Sequence, residues 1–142
     1  MVLRLHTTIK AEHHDVGAVV EHWCPGGMTT PLHVQPEDYE AIYGLEGEVT
    51  FFADAQSVSL SPGSYIYVPA GTAHAWRGDS DQARVLTLTT SEHADWFRAA
   101  GEPARERALP PPGPLDIEKC NAASEITTSS CSEMLPPEGP AT

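Results

Sequence analysis

Four residues with metal-binding donors fall in two separated segments framed by glycine and proline: His33, Gln35, Glu40 and His74. The first segment runs Gly27-Met-Thr-Thr-Pro-Leu-His33-Val-Gln35-Pro-Glu-Asp-Tyr-Glu40 and closes at Gly47. The second runs from Gly63 through Pro69-Ala-Gly71 to His74. Side chains alternate along a strand, so His33 and Gln35 point to the same face. A turn through Pro36, Glu37 and Asp38 lets Glu40 return toward them, and His74 arrives from a distant strand. Imidazole, carboxylate and amide oxygen are all donors for a divalent first-row metal. Gln35 is the poorest of the four, a neutral amide oxygen. It is read as a ligand through that oxygen, as a neighbour that orients water or substrate, or as the mark of a site that binds an organic ligand without metal. Glu40 either ligates or acts as general base, because apolar walls and a metal move a carboxylate's pKa toward neutrality.

The remaining histidines belong to no such pattern. His6, His13, His14, His22 and His93 are read as ordinary surface or core residues, so His93→Ala is expected to leave metal content unchanged. His22 shares a strand face with Val20 and Cys24 and is also a candidate to point inward, at the pocket. Trp76 shares a face with His74, and Ile42 with Glu40. Both are candidate pocket walls for a flat small molecule, and Trp76 reads equally well as core packing. Trp23 and Phe51 are read as core, and Tyr39, Tyr43, Tyr65 and Tyr67 as barrel exterior or subunit contacts. Nucleophilic catalysis has no support, since Gly-x-Ser-x-Gly is absent and no cysteine has an evident partner.

Many short strands must position these groups. Strand formers occupy Ala18–Cys24, Leu32–Gln35, Tyr39–Leu45, Glu48–Phe52, Ser57–Leu60, Tyr65–Val68, Ala73–Arg77 and Ala83–Thr90. Residues 1–15 are read as an edge strand or arm, and Glu46-Gly47 as a hairpin-like turn. Gly47 and Gly71 are expected at positive φ. Such a series, broken by Pro-Gly-Gly and Ser-Pro-Gly, points to a β-sandwich or barrel. A helix is expected from a Ser91 cap to a Gly101 stop, and a second over Leu115–Ile126 capped by Asp116. Residues 127–142 are read as disordered.

The chain has 142 residues, enough for one domain with a real core. Its net charge of −12 and lack of a basic stripe make it a poor partner for nucleic acid or anionic membranes. No apolar run is long enough to span a bilayer. The N-terminus reads as too short and polar for a signal peptide. Three widely spaced cysteines fit a reducing cytoplasm rather than a disulfide framework.

The two glycine-framed segments resemble the paired motifs of the cupins. The first such motif is Gly, five residues, His-x-His, three or four residues, Glu, six residues, Gly. The chain keeps every spacing from Gly27 to Gly47, with Gln35 at the second His. The second motif is kept from Gly63 to His74, with Gly78 where an Asn is expected. His74-Ala-Trp-Arg-Gly78 and Trp96-Phe97-Arg-Ala-Ala-Gly101-Glu-Pro103 are similar to the small single-domain group related to quercetin dioxygenase. The likeness covers about residues 15–105.

That resemblance implies an all-β fold, a double-stranded β-helix of jelly-roll type over residues 1–108 with a short helical C-terminal extension. The proline-rich tail, 109–142, is then expected to pack on the barrel. One divalent transition metal is implied (iron, nickel, manganese, cobalt, zinc or copper), held by His33, Gln35, Glu40 and His74. The implied activity is that of a metal-dependent enzyme on a small aromatic or enolic molecule. Its concrete form is a quercetinase-like dioxygenase using O₂, with Glu40 taking the substrate hydroxyl proton; secondary metabolism is the setting expected for the non-oxidative alternative. A cytoplasmic homodimer without nucleic-acid or membrane partners is expected. A non-oxidative cyclase or isomerase, and a small-ligand-binding cupin without turnover, are the alternatives, because one fold hosts many activities.

Overall fold

A computed structural model describes residues 5–111, 113, 116–127 and 130–131. Among the described residues, ten strands form two five-stranded antiparallel sheets. In chain order they are β1 (His6–His13), β2 (Gly17–Pro25), β3 (His33–Val34), β4 (Glu40–Glu46), β5 (Val49–Ala53), β6 (Gln56–Leu60), β7 (Tyr65–Val68), β8 (His74–Gly78), β9 (Gln82–Thr89) and β10 (Ser130–Cys131). One sheet has the order β1-β2-β9-β4-β7 and the other β10-β3-β8-β5-β6. The barrel-like sandwich read from the sequence is thus present, and residues 1–15 do supply an edge strand. Between the last two strands lie α1 (Ser91–Ala100) and α2 (Ile117–Thr127). No helix among the described residues is long and apolar enough to cross a membrane.

Period-two alternation selects what faces inward. On β9, Val85 is buried while Leu86 is half-buried and Leu88 exposed. Met28, Ile42, Val49, Phe51, Leu60 and Trp76 form the body of the core between the sheets. Trp23 lies on the other face of β2 from His22 and Cys24, so it is not core. It is half-buried, and its indole N–H donates to Gln82 Oε1 at 3.1 Å. Tyr43, Tyr65, Tyr67 and Leu88 are exposed on the outer face of the first sheet, where β7 is the edge.

Glu46-Gly47 is not a hairpin. The strands before and after it belong to different sheets, so the chain turns a corner from β4 to β5. Gly47 has φ +71°, and a Cβ there would strike the Gln82 carbonyl. The tight hairpin lies one strand later, where Asp54 and Ala55 both have positive φ between the paired strands β5 and β6. Alanine gives no turn signal, which is why composition pointed elsewhere.

The cap of α1 is Thr90, one residue earlier than expected. Thr90 is extended and its hydroxyl accepts the His93 N–H, whereas Ser91 is already helical. Gly101 ends the helix by donating to the Phe97 carbonyl. Asp116 caps α2 by accepting the Lys119 N–H at 3.0 Å. α2 leans on α1, where the Trp96 indole donates to Ser124 Oγ at 3.1 Å. The tail expected to be disordered lies mostly outside the described residues, apart from Thr127, which ends α2, and Ser130 and Cys131, which pair with Val34 and His33.

Glu21 is the electrostatic hub of the first sheet. It is 5 % exposed and accepts from Lys10 at 3.0 Å, Arg84 at 2.9 Å and Arg107 at 3.1 Å. Burial pushes its carboxyl up, but the hydrogen bonds and charges of Lys10 and Arg84 outweigh this and leave it below the ordinary range. A depressed folded-state pKa stabilises the fold above the unfolded value, near 4.5, and that stability is lost as pH falls through the folded value. Glu21→Gln should therefore cost about 1–2 kcal/mol at pH 7. The deficit should shrink below pH 4.5, where the parent protonates too. Urea melts of both chains at several pH values check this; a deficit that does not vary with pH would contradict it.

Candidate metal centre

The centre begins with a cross-strand pair. His33 on β3 lies opposite His74 on β8, and their rings are 4.2 Å apart. Each ring is fixed by its outer nitrogen. His33 Nδ1–H donates to the Pro31 carbonyl at 2.8 Å, and His74 Nδ1–H to the Thr72 carbonyl at 2.9 Å. A carbonyl only accepts, so both protons sit on Nδ1 and both Nε2 atoms serve the site. This carbonyl anchoring is the usual support of a ligating histidine.

Glu40 opens β4 in the opposite sheet and closes the set. The donor atoms of His33, Glu40 and His74 all lie within 4.8 Å of one another. Two nitrogens and one carboxylate oxygen suit a divalent first-row ion, and the pre-anchored rings add to that fit. The three side chains can therefore hold such an ion. Glu40 Oε2 accepts from His74 Nε2 at 2.9 Å, and Glu40 Oε1 from His93 Nε2 at 3.0 Å.

Electrostatics follow from that pairing. Burial raises the Glu40 carboxyl, but hydrogen bonds from His74 and His93 prevail and hold it well below the usual carboxylate range. Burial lowers His74, yet the Glu40 hydrogen bond and charge leave it above its ordinary value. An incoming cation must then displace the His74 Nε2 proton. His33 is pushed down to about 4 by burial and by His74, so its Nε2 is an unprotonated donor at neutral pH.

Gln35 is 2 % exposed and lines the same cavity, but its amide nitrogen meets His93, at 3.0 Å from Nε2 and 3.3 Å from Nδ1. Its Oε1 has no hydrogen-bond partner among the described residues. The backbone joins the two sequence segments here, since Gly71 N–H donates to the Gln35 carbonyl at 2.8 Å. Gly71 has φ +82°, and with Gly47 it fulfils the expected left-handed turns.

His93 is the residue that sequence reasoning missed. It is 3 % exposed, on the first turn of α1. A relay of hydrogen bonds sets it there: Thr90 O–H donates to Asp38 Oδ1, and Thr90 Oγ1 accepts the His93 N–H. Asp38 lies in the turn that delivers Glu40, so helix cap and carboxylate are registered together. The available signal was its i, i+3 and i, i+4 relation to Trp96 and Phe97, which line the same cavity.

The cavity beside the centre has about 70 Å³. Ile42, Phe51, Trp76, Val85 and Phe97 make it largely apolar. His22 lines it too, with Nδ1 3.1 Å from Thr7 Oγ1 and its ring 4.8 Å from Phe97. Burial pushes His22 down to about 4, so it offers hydrogen bonding without charge. Trp76 both lines the cavity and stacks on Phe51 at 5.8 Å, serving core and pocket together.

Comparison with known proteins agrees with this construction. Residues 19–90 match the Cupin domain family, so the chain belongs to the cupins. It is 31 % identical over 110 residues to quercetin 2,3-dioxygenase of Bacillus subtilis, across 75 % of this chain and 33 % of that protein. It is 31 % identical over 84 residues to the dimethylsulfoniopropionate lyase DddQ of Ruegeria pomeroyi, across 49 % of this chain and 41 % of the lyase. The chain thus spans about a third to two fifths of these relatives. The crystal structure of DddQ superposes with a TM-score of 0.55 at 25 % identity, covering 61 % of this chain and 47 % of the lyase. A Klebsiella pneumoniae protein with a double-stranded β-helix domain superposes equally, at TM-score 0.55 and 15 % identity, over 61 % of this chain and 76 % of its own. That likeness speaks for the fold alone.

Elemental analysis should find about one divalent transition metal per chain when purification avoids chelators. His33→Ala and His74→Ala should each weaken metal binding by roughly tenfold or more. His13→Ala, at an exposed position, should leave it unchanged. Equal metal content in all three variants would remove the assignment.

Proposed function

We propose that this cupin is a metal-dependent enzyme that removes a proton from a small enolic or otherwise acidic organic molecule. The observation that carries the reading is the buried Glu40 in the wall of a largely apolar cavity, beside two carbonyl-anchored histidines. A divalent ion held by His33, His74 and Glu40 would act as a Lewis acid toward a substrate oxygen. The chain's own residues supply the rest. Glu40 is the proton acceptor. Its low basicity comes from the His74 and His93 hydrogen bonds, while burial alone works the other way. Release from those nitrogens raises its basicity, while the charge of a bound ion would work against that rise. Trp76, Phe51 and Ile42 hold a flat apolar body and exclude water, and His22 offers a neutral hydrogen bond from the wall.

The similarity to quercetin 2,3-dioxygenase supports O₂ as the second reactant. The cavity supports a substrate smaller than a flavonol, since about 70 Å³ is far below the roughly 300 Å³ of pockets that bury drug-sized ligands. The same volume favours a second reading, elimination without O₂, in keeping with the similarity to a lyase of a small organic acid.

Turnover of a panel of small enols and β-substituted carboxylic acids, with and without O₂, separates the readings. Loss of turnover under argon supports the dioxygenase. Persistence under argon supports the lyase, and tight binding without turnover would overturn both. In either active case Glu40→Gln should lower kcat by roughly 10²–10⁴-fold. We further propose a homodimer through Tyr43, Tyr65, Tyr67 and Leu88 beside the edge strand β7. Sedimentation should give a dimer for the parent and a monomer for Tyr67→Arg; a parent that sediments as a monomer contradicts it.

A further inference from the structure

His93 does more than pair with a carboxylate. Its Nε2 lies 3.0 Å from Glu40 Oε1, and His74 Nε2 lies 2.9 Å from Glu40 Oε2, so one carboxylate sits between two imidazole nitrogens. Two atoms bound about 2.1 Å from a common ion at tetrahedral angles lie roughly 3.4 Å apart, close to both spacings. The ring is held by packing rather than by freedom to turn. Phe97 meets it edge-on at 4.7 Å and Trp96 stacks on it at 6.1 Å. The second observation is Gln35, buried against His93 with an oxygen that no described residue satisfies.

We propose that His93 is a fourth protein donor of the metal centre, and that Gln35 is the partner that sets its tautomer. This rests on the metal-dependent reading above. In the arrangement described, His93 Nε2–H donates to Glu40, and the Gln35 amide nitrogen lies beside the ring, 3.3 Å from Nδ1 and 3.0 Å from Nε2. To ligate, His93 must carry its proton on Nδ1 and present the Nε2 lone pair to the ion from where the ring stands. Nδ1–H then needs an acceptor. A half-turn of the Gln35 amide exchanges nitrogen for oxygen at that place and supplies one. His33 and His74 have fixed carbonyls for this purpose, from Pro31 and Thr72. His93 is borne on a helix whose own carbonyls are engaged, so a side-chain amide performs the task. Because an amide offers a donor or an acceptor at the same point, His93 serves Glu40 without metal and the ion with it. Glu40, released by both imidazoles, is then left with one carboxylate oxygen for the ion and the other for the substrate proton that the proposed chemistry removes.

Cu²⁺ bound at one equivalent is the probe, and pulsed EPR counts its coupled imidazoles. The parent should show three imidazoles and His93→Ala two. Competition titration should give at least roughly tenfold weaker binding for His93→Ala. His93→Asn, closer in volume and polarity, repeats the count if the alanine chain does not fold. Gln35→Leu should also weaken binding by roughly tenfold, and Gln35→Glu should restore it, because a carboxylate accepts the Nδ1 proton. Two imidazoles in the parent, with the same spectrum in the His93 variants, would overturn the assignment and leave the three-residue centre standing. A parent that binds no metal would overturn the centre and this inference together.

Discussion

Burial of a single carboxylate governs how the layers of this protein are joined. Glu40 is 6 % exposed and lies far inside a sandwich of apolar side chains. An ionised group in that position is tolerated only when it is paired and hydrogen-bonded. Its two partners come from different layers. Glu40 is on the first sheet, His74 on the second, and His93 on a helix. The pair of hydrogen bonds therefore joins all three at one point. Separation of any layer would leave a buried charge uncompensated, which costs more than the net gain of the bonds themselves. The Asp38–Thr90 hydrogen bond reinforces the same junction from the backbone side, because it links the turn before Glu40 to the cap of α1.

That junction also bears on the cavity. Glu40, His33 and His93 line the cavity together with Ile42, Phe51, Trp76 and Val85, so ionisable groups stand among apolar ones. In such surroundings electrostatic interactions are stronger than in water and proton affinities depend on who faces whom. The opposite displacements of His33 and His74 illustrate this. The two rings are cross-strand neighbours with the same carbonyl anchoring, yet burial takes one down and Glu40 takes the other up. Contact with the carboxylate makes the difference.

Much of this was legible in residue order. Strand period and turn residues are local properties and placed His33 and Glu40 near each other, while the joining of His74 to them followed from the resemblance of the two segments to paired motifs. The same holds for the inward face of His22, Val20 and Cys24, all of which are buried. What failed depended on non-local pairing. Glu46-Gly47 has hairpin composition, but which sheet each flanking strand joins is decided by packing across the molecule. Trp23 is apolar, but its strand neighbours had already taken the inward face, so its indole lies outside with Gln82. His93 stands 53 positions from Glu40, in a helix whose docking no local pattern specifies. Its role becomes visible only when α1 is laid over the open end of the cavity.

The C-terminal part then takes on a different meaning. The proline-rich segment after α1 leads into α2, which grips α1 through Trp96 and Ser124, next to the ring of His93. Beyond α2 the backbone of β10 pairs with β3, and Cys131 lies opposite His33. A strand of two residues such as β3 has little pairing of its own, with β8 on one side only until β10 arrives on the other. The tail thus holds both the strand that carries His33 and the helix that carries His93. The barrel supplies Glu40 and His74 from within. Placement of the other two imidazoles is shared with the segment that follows the barrel, and the geometry of the centre is coupled to how firmly that segment is docked.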